Sequence, residues 1–540
     1  MSPDRGSLRF ARLAREHYKY ARKCPLAEAT VPLFAPFINK LASRMSSDVD
    51  SQPKELPLEE RAYAEALDYL YGRINYEKIG NTPYTQGNYR LDRMRQLLEI
   101  LGNPHQAYDI VHVAGTKGKG TTSTLLANCF QECGLRTGLY TSPHLLKLEE
   151  RIQFQGAACS PQALIELTNE VRVAARQLEE KGVGRATFFE MTTAMSMLHF
   201  ANCQAEAVVL EVGLGGRLDS TNVCSPVATV ITSISLDHQA QLGDTIEAIA
   251  REKAGIIKPG IPLVCSARHP DARAAITEVA SAQGVSCSLI DRDFTVQWQP
   301  LFPDGSSTQT SAELVLWSGK EAVLRRLGLG SVPPGDLSPS RWTTCMLGRH
   351  QADNIAAALT TIDSLTRRGW NLPIDKLQRS IARTQPRARL EIVDNSPLSI
   401  IDSAHNPASI QAGLEALDDH FVDHFVDHSP ARPLTVVFAA SRDKDWRQML
   451  RLLLARAQRL ILTAYHENPR ALPVDELSAA ANAEQLGYAN SSNNESHSSV
   501  EVVSHPSQAW QRAREVTSTD GIVYATGSFF LAAEIIASLE

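Results

Sequence analysis

The stretch Val111-His-Val-Ala-Gly-Thr-Lys-Gly-Lys-Gly-Thr-Thr122 decides how the rest of the chain is read. The β-branched run Ile110–Ala114 predicts a short strand, and Thr121–Cys133 follows with helical spacing. Between them lies a turn built on Gly115, Gly118 and Gly120. Small residues let successive backbone N–H groups close on phosphate oxygens, and the helix N-terminus adds its positive end. Lys119 supplies a point charge for terminal phosphates, and Thr121 or Thr122 can reach Mg²⁺. The spacing departs from the common G-x-x-x-x-G-K-[ST] loop, because Val113 stands five residues before Gly118 and Gly120 separates Lys119 from Thr121. An ordinary Gly-rich turn would not need the lysine and the threonines, so the stretch reads as an ATP site.

Outward from this loop, strands and helices alternate. Ala207–Val212, Val227–Ile234 and Ile261–Cys265 read as buried strands, with Thr245–Ile256 a helix between the last two. That rhythm predicts an α/β domain with a mostly parallel sheet. Residues 295–340, rich in proline, break it and read as an excursion or edge hairpin. A helix is expected over Gln351–Arg367. A second α/β series follows, with strands at Leu398–Ile401, Leu434–Ala439, Leu460–Thr463 and Gly521–Ala525. The expected domains are an N-terminal extension and linker (1–57), a central ATP-binding domain (58–385) and a smaller Rossmann-like domain (386–540).

Composition narrows the function. The 540 residues carry 54 Lys plus Arg against 60 Asp plus Glu, a net charge of -6, which disfavours a nucleic-acid partner. No apolar run approaches the ~20 residues of a membrane span. The nine cysteines form no C-x-x-C pair and read as reduced core residues. The first 45 residues are basic and lack an apolar stretch, so a secretory signal is not expected. A cytoplasmic location is expected, with mitochondrial as the alternative if the extension is a transit peptide.

The shortened loop GTKGKGTT resembles that of the Mur ligase superfamily, and further stretches narrow the resemblance to folylpolyglutamate synthase/dihydrofolate synthase. They are TSPHL at 141–145, ERI at 150–152, TFFEMTTA at 187–194, LEVGLGGRLDSTN at 210–222, SLDHQAQLG at 235–243, IAREKAGIIKPG at 249–260, GRHQADN at 348–354, RLE at 389–391, DSAHN at 402–406 and DKD at 443–445. That family joins a carboxylate to the amine of L-glutamate through an acyl phosphate. The resemblance implies ATP and Mg²⁺ as cofactors, folate or dihydropteroate and L-glutamate as substrates, and a monomer. Dihydrofolate synthase activity alone, or another Mur-type amino-acid ligase, is the alternative; outside the superfamily the rivals are a phosphate-releasing NTPase and a nucleotide-holding relative.

The same resemblance implies roles for individual residues. Gly115, Thr116, Lys117, Gly118, Lys119, Gly120, Thr121 and Thr122 would hold ATP, with Asn354, Arg389 and Asp402. Thr121, Ser142, Glu211, His238 and Lys253 would hold metal, Lys253 as a carbamate. Lys119, His238 and Lys253 would serve catalysis, and Asp219, Arg217 and His405 the substrates. Blander roles stand beside these: a helix cap for Glu211 or Asn354, a structural histidine at 238, a surface lysine at 253, turn hydrogen bonds for Asp219 and Asn222, and a solvated turn at Lys444. One departure is Pro386-Arg-Ala-Arg389, where the family shows Pro-Gly-Arg. Ala388 stands in the glycine's place, and Arg387 competes with Arg389.

Overall fold

The computed structural model describes residues 57–76, 85, 89–300, 312–317, 340–421, 432–466, 468–489 and 498–540. The N-terminal extension and residues 491–497 of the polar SSNNESHSS loop lie outside the described residues. The chain divides into two compact units: Leu56–Glu391 with Ala412–Ala431, and Ile392–Gln411 with Arg432–Glu540.

The first unit is built on β1 (Asp109–Ala114), β2 (Thr137–Tyr140), β3 (Ile152–Phe154), β4 (Ala157–Ala158), β5 (Ala207–Glu211), β6 (Ala228–Ile231), β7 (Leu263–Cys265) and β8 (Cys287–Leu289). They form one sheet in the order β4-β3-β2-β5-β1-β6-β7-β8. From β2 to β8 every pairing is parallel, and β3 and β4 add an antiparallel edge. Strands such as Ala-Val-Val-Leu-Glu (207–211) are buried along their whole length because helices cover both faces.

Side chains of β1 alternate between two apolar cores. Val111 and Val113 pack with α1 (Lys119–Glu132), while Ile110 joins the core around α2 (Phe188–Asn202). The chain leaves β1 to one side for β2 and later to the other for β6. The sheet therefore switches direction at β1, and the crevice at the carboxyl ends of β5, β1 and β6 is where such a fold binds ligands.

Two expectations change in detail. Helix α1 begins at Lys119, two residues before the expected start, because Gly118 (φ 85) acts as its left-handed N-cap. The lysine and Gly120 thus form the first turn, where backbone N–H groups lack intrahelical partners. Residues 295–344 hold a separate three-stranded antiparallel sheet rather than an edge hairpin: β9 (Thr295–Pro300), β10 (Ala312–Trp317) and β11 (Ser340–Thr344), in the order β11-β10-β9.

The second unit carries a six-stranded sheet of β12 (Glu391–Asn395), β13 (Leu398–Ile401), β14 (Leu434–Phe438), β15 (Arg459–Leu462), β16 (Ser499–Val502) and β17 (Ile522–Thr526), in the order β12-β13-β17-β14-β15-β16. From β13 to β16 all pairings are parallel. Among the described residues no cysteine is disulfide-bonded, and no helix is long and apolar enough to cross a membrane.

Candidate active site

The phosphate loop is clamped by the chain that follows β6. Thr232 Oγ1 and Ser233 Oγ both donate to the Lys117 carbonyl, at 2.8 and 3.1 Å, and Thr116 N donates to Ser233 O. A Cβ at Gly115 would sit 1.8 Å from Thr232 Oγ1, so only glycine fits there. On the other side Asn354, from α4 (Arg349–Thr366), packs against Gly118, and its Nδ2 donates to Gln351 Oε1 at 2.8 Å. Lys117 turns its ammonium to Asp237, 3.0 Å away.

Glu211 ends β5 beside this loop and is buried. Its Oε2 accepts from the Ser142 backbone N–H at 3.2 Å and would lie 3.6 Å from a Cβ at Gly120. Burial raises its pKa, opposed by Lys119, the Ser142 amide, Arg389 and Arg151. The carboxylate is therefore surrounded by cations. Arg387 pairs with Glu391 at 3.0 Å, whereas Arg389 acts on the charge of Glu211. Ala388 has φ 52, a left-handed conformation that favours glycine, the residue that the family resemblance leads one to expect there.

Lys253 lies in α3 (Ile246–Ala254) and is buried, not a surface lysine. Burial first, and then Lys119, bring its pKa down to about 7 against the opposing pull of Asp237 and Asp219. The Gly-rich loop after Glu211 lies flush against the end of this helix. A Cβ at Gly216 would meet the Glu252 and Lys253 carbonyls at 2.9 Å, and one at Gly255 would meet Arg217 Cβ at 2.4 Å. Asn222 Nδ2 donates to both Arg217 O and Gly255 O at 3.0 Å, and Arg217 pairs with Glu252 at 2.8 Å.

Asp219 makes the turn bonds named as its alternative role. Its carboxylate accepts from Thr221 N (3.0 Å), Thr221 Oγ1 (2.5 Å) and Leu214 N (2.9 Å). His238 caps a short helix in a left-handed conformation (φ 51), with its ring half exposed and 4.0 Å from Asp237. In the second unit Asp402, just past β13, accepts from the buried Tyr524 hydroxyl at 3.0 Å. His405 Nδ1 donates to Ser403 O at 2.9 Å, and Asn406 Oδ1 accepts from Ser409 N at 2.9 Å. Asp445 of the DKD turn caps the helix Trp446–Arg456 through Gln448 N.

Sequence reasoning gave no role to Asp237, His144, Glu150 or Arg151. Glu150 accepts from the Leu145, Leu146 and Lys147 amides at 2.7–2.9 Å, and Arg151 Nε donates to His144 Nδ1 at 2.8 Å. TSPHL and ERI are thus two halves of one braced loop carrying Ser142. A buried charge inside a strand-edge motif was the available signal.

Among the described residues, no three His, Cys, Asp or Glu side chains group to hold a metal. Beside the Glu211 carboxylate stand Ser142, whose amide it accepts, and Gly120, the residue before Thr121, so a carboxylate and two hydroxyl-bearing residues meet here. Such a hard-oxygen set fits Mg²⁺, which takes one or two carboxylates and completes its shell with water and phosphate oxygens.

Residues 113–362 match the Mur ligase middle domain, and residues 388–529 match the Mur ligase glutamate ligase domain. The fold and this site therefore define an ATP-dependent ligase of the Mur type. A folylpolyglutamate synthase from Lacticaseibacillus casei is 34% identical over 413 residues, covering 76% of this chain and 87% of that protein. A dihydrofolate synthase/folylpolyglutamate synthase from Bacillus subtilis is 31% identical over 412 residues, 76% and 86% of the two chains. The Mycobacterium tuberculosis folylpolyglutamate synthase structure with ADP and AMPPCP superposes with a TM-score of 0.72 at 26% identity, over 89% of this chain and 98% of that one. The chain belongs to the folylpolyglutamate synthase/dihydrofolate synthase family.

Proposed function

We propose that the chain joins L-glutamate to the carboxylate of a folate, using ATP. The observation that carries this reading is the convergence of Lys119, Glu211, Arg389 and the buried Lys253 on one crevice at the end of β1. A carboxylate oxygen is a poor leaving group, so the folate carboxylate takes the terminal phosphoryl group of ATP first. The amine of glutamate then attacks the acyl phosphate; the C–N bond forms, the C–O bond breaks with phosphate taking its electron pair, and the nitrogen releases a proton to solvent. Lys119 and the first-turn amides of α1 hold the phosphates and neutralise the charge that builds on them. Asn354 and Arg389 hold the nucleotide on the first unit, and Asp402 is the nucleotide residue assigned to the second unit.

Glu211, Thr121 and Ser142, with His238, are the residues that would hold Mg²⁺, which would supply further neutralisation of phosphate charge. Lys253 has the neutral amine that adds to carbon dioxide, giving a carbamate and releasing a proton. The product is a hard-oxygen anion where an ammonium would repel a cation. Dihydropteroate is a second acceptor on this reading, supported by the bifunctional name of the Bacillus subtilis relative. Purified protein with ATP, Mg²⁺ and glutamate, given dihydropteroate or tetrahydrofolate separately, tests both acceptors by product mass. Product with tetrahydrofolate supports the leading reading, and ADP release indifferent to glutamate and folate would overturn it.

A further inference from the structure

We propose that His112 is a positioning residue for the ligation reaction: as a neutral imidazole with its proton on Nε2, it ties the 213–222 loop, and through it the Lys253 helix, to the strand that ends in the phosphate loop. The proposal rests on the reading of Lys253 and the phosphate loop given above.

His112 is the one imidazole on β1, the central strand of the first unit, and it is fully buried between Leu210 and Thr229 on the neighbouring strands. The other buried residues of that strand, Ile110, Val111, Val113 and Ala114, are apolar. A polar ring in such a place is costly unless both nitrogens are satisfied. Both are. Nε2 lies 2.8 Å from Thr221 Oγ1, and Nδ1 lies 3.6 Å from Cys224 Sγ.

Every direction along this line is fixed by chemistry. Burial, and after it Lys258, hold His112 neutral, with a pKa of about 3. Burial pushes the Cys224 thiol up to about 12, so it keeps its proton and donates to Nδ1. Nε2 then carries the ring proton and donates to Thr221 Oγ1. That hydroxyl passes its own proton toward Asp219 Oδ1 at 2.5 Å, and Asp219 Oδ2 takes the Leu214 N–H at 2.9 Å. One residue on, Asn222 bridges the loop to Gly255 at the end of the Lys253 helix. The hydrogen bonds thus run from the phosphate-loop strand to the loop after Glu211, and Asn222 fastens that loop to Gly255, two residues beyond Lys253. Chains of this kind strengthen one another in a low-dielectric interior.

The test uses the full chain. His112→Gln keeps an N–H at the reach of Nε2, His112→Asn does not, and Thr221→Val removes the relay hydroxyl at constant volume. His112→Asn and Thr221→Val are expected to lower kcat roughly ten- to a hundredfold, because small misplacements of reacting groups are costly. KM for ATP should stay close to wild type, His112→Gln should recover most of the rate, and the double variant should be no worse than the poorer single. Nitrogen-15 NMR of labelled histidine should place the proton on Nε2. Thr221→Val leaves the His112 ring in place and tests the same line of hydrogen bonds from its other end. Equal loss of melting temperature in the Gln and Asn variants with normal kcat, additive effects in the double variant, or a proton on Nδ1 would overturn it. A wild type without glutamate-dependent ADP release would instead sink the ligase reading.

Discussion

Asn354 occupies the space that a side chain at Gly118 would need. Its Oδ1 lies 2.1 Å from the position of a Cβ there, and Gly118 has φ 85. Gly118→Ala therefore meets two penalties at once. The left-handed backbone costs about 1–2 kcal/mol with a Cβ, and Asn354 must be displaced from the phosphate loop. We expect nucleotide affinity to fall about tenfold, a step of ~1.4 kcal/mol, with the fold kept. Titration with an ATP analogue checks this, and wild-type affinity would contradict it.

Lys253 should set a pH dependence of stability. Its pKa falls from 10.5 in the unfolded chain to about 7 in the folded one. Between these values the unfolded state binds more protons, so stability rises with pH there. The penalty is present in full below about pH 7 and is gone above 10.5. Lys253→Met removes it. The variant should melt higher than wild type at acidic pH, the gap should close toward alkaline pH, and ligation should be lost throughout. A variant with full activity, or one less stable at every pH, would contradict this account.

The carbamate reading makes a separate prediction. Only the neutral amine reacts with carbon dioxide, so bicarbonate should activate carbon dioxide-depleted enzyme increasingly as pH rises through about 7. Activity measured in depleted buffer, with and without added bicarbonate, checks it. Indifference to bicarbonate at every pH would rule the carbamate out.

Asp402 and Tyr524 separate support from function in the second unit. Tyr524→Phe deletes one buried hydrogen bond, worth about 1 kcal/mol, and should lower stability with little effect on turnover. Asp402→Ala should impair turnover more than stability, because the aspartate is assigned to nucleotide. Turnover per folded molecule at the wild-type level in Asp402→Ala would make that residue structural.

Much of the first unit was legible because its signals are local. The run Val111–Ala114 and the glycines that follow specify a strand and a loop through backbone demands alone. Helix α1 starts earlier than the threonines suggested because Gly118, not a polar side chain, caps it. What the sequence hid depends on groups far apart along the chain. Lys253 looks like a surface lysine within its own helix, and it is buried among groups distant in sequence, the loop at 213–222 packing over the helix end among them. The turn bonds of Asp219 were in reach of the sequence, since Thr221 and Leu214 lie within five residues of it. The Lys117–Asp237 and His144–Arg151 pairs bring together residues with no shared periodicity.

The central claim is that ATP is spent to form a glutamyl amide. The most direct measurement incubates the purified chain with ATP, Mg²⁺, L-glutamate and tetrahydrofolate, and reads ADP release alongside product mass. The account predicts a product heavier by one glutamyl residue, with ADP released in equal amount and only when both acceptor and glutamate are present. ADP released without either substrate, and no glutamylated product, would contradict it.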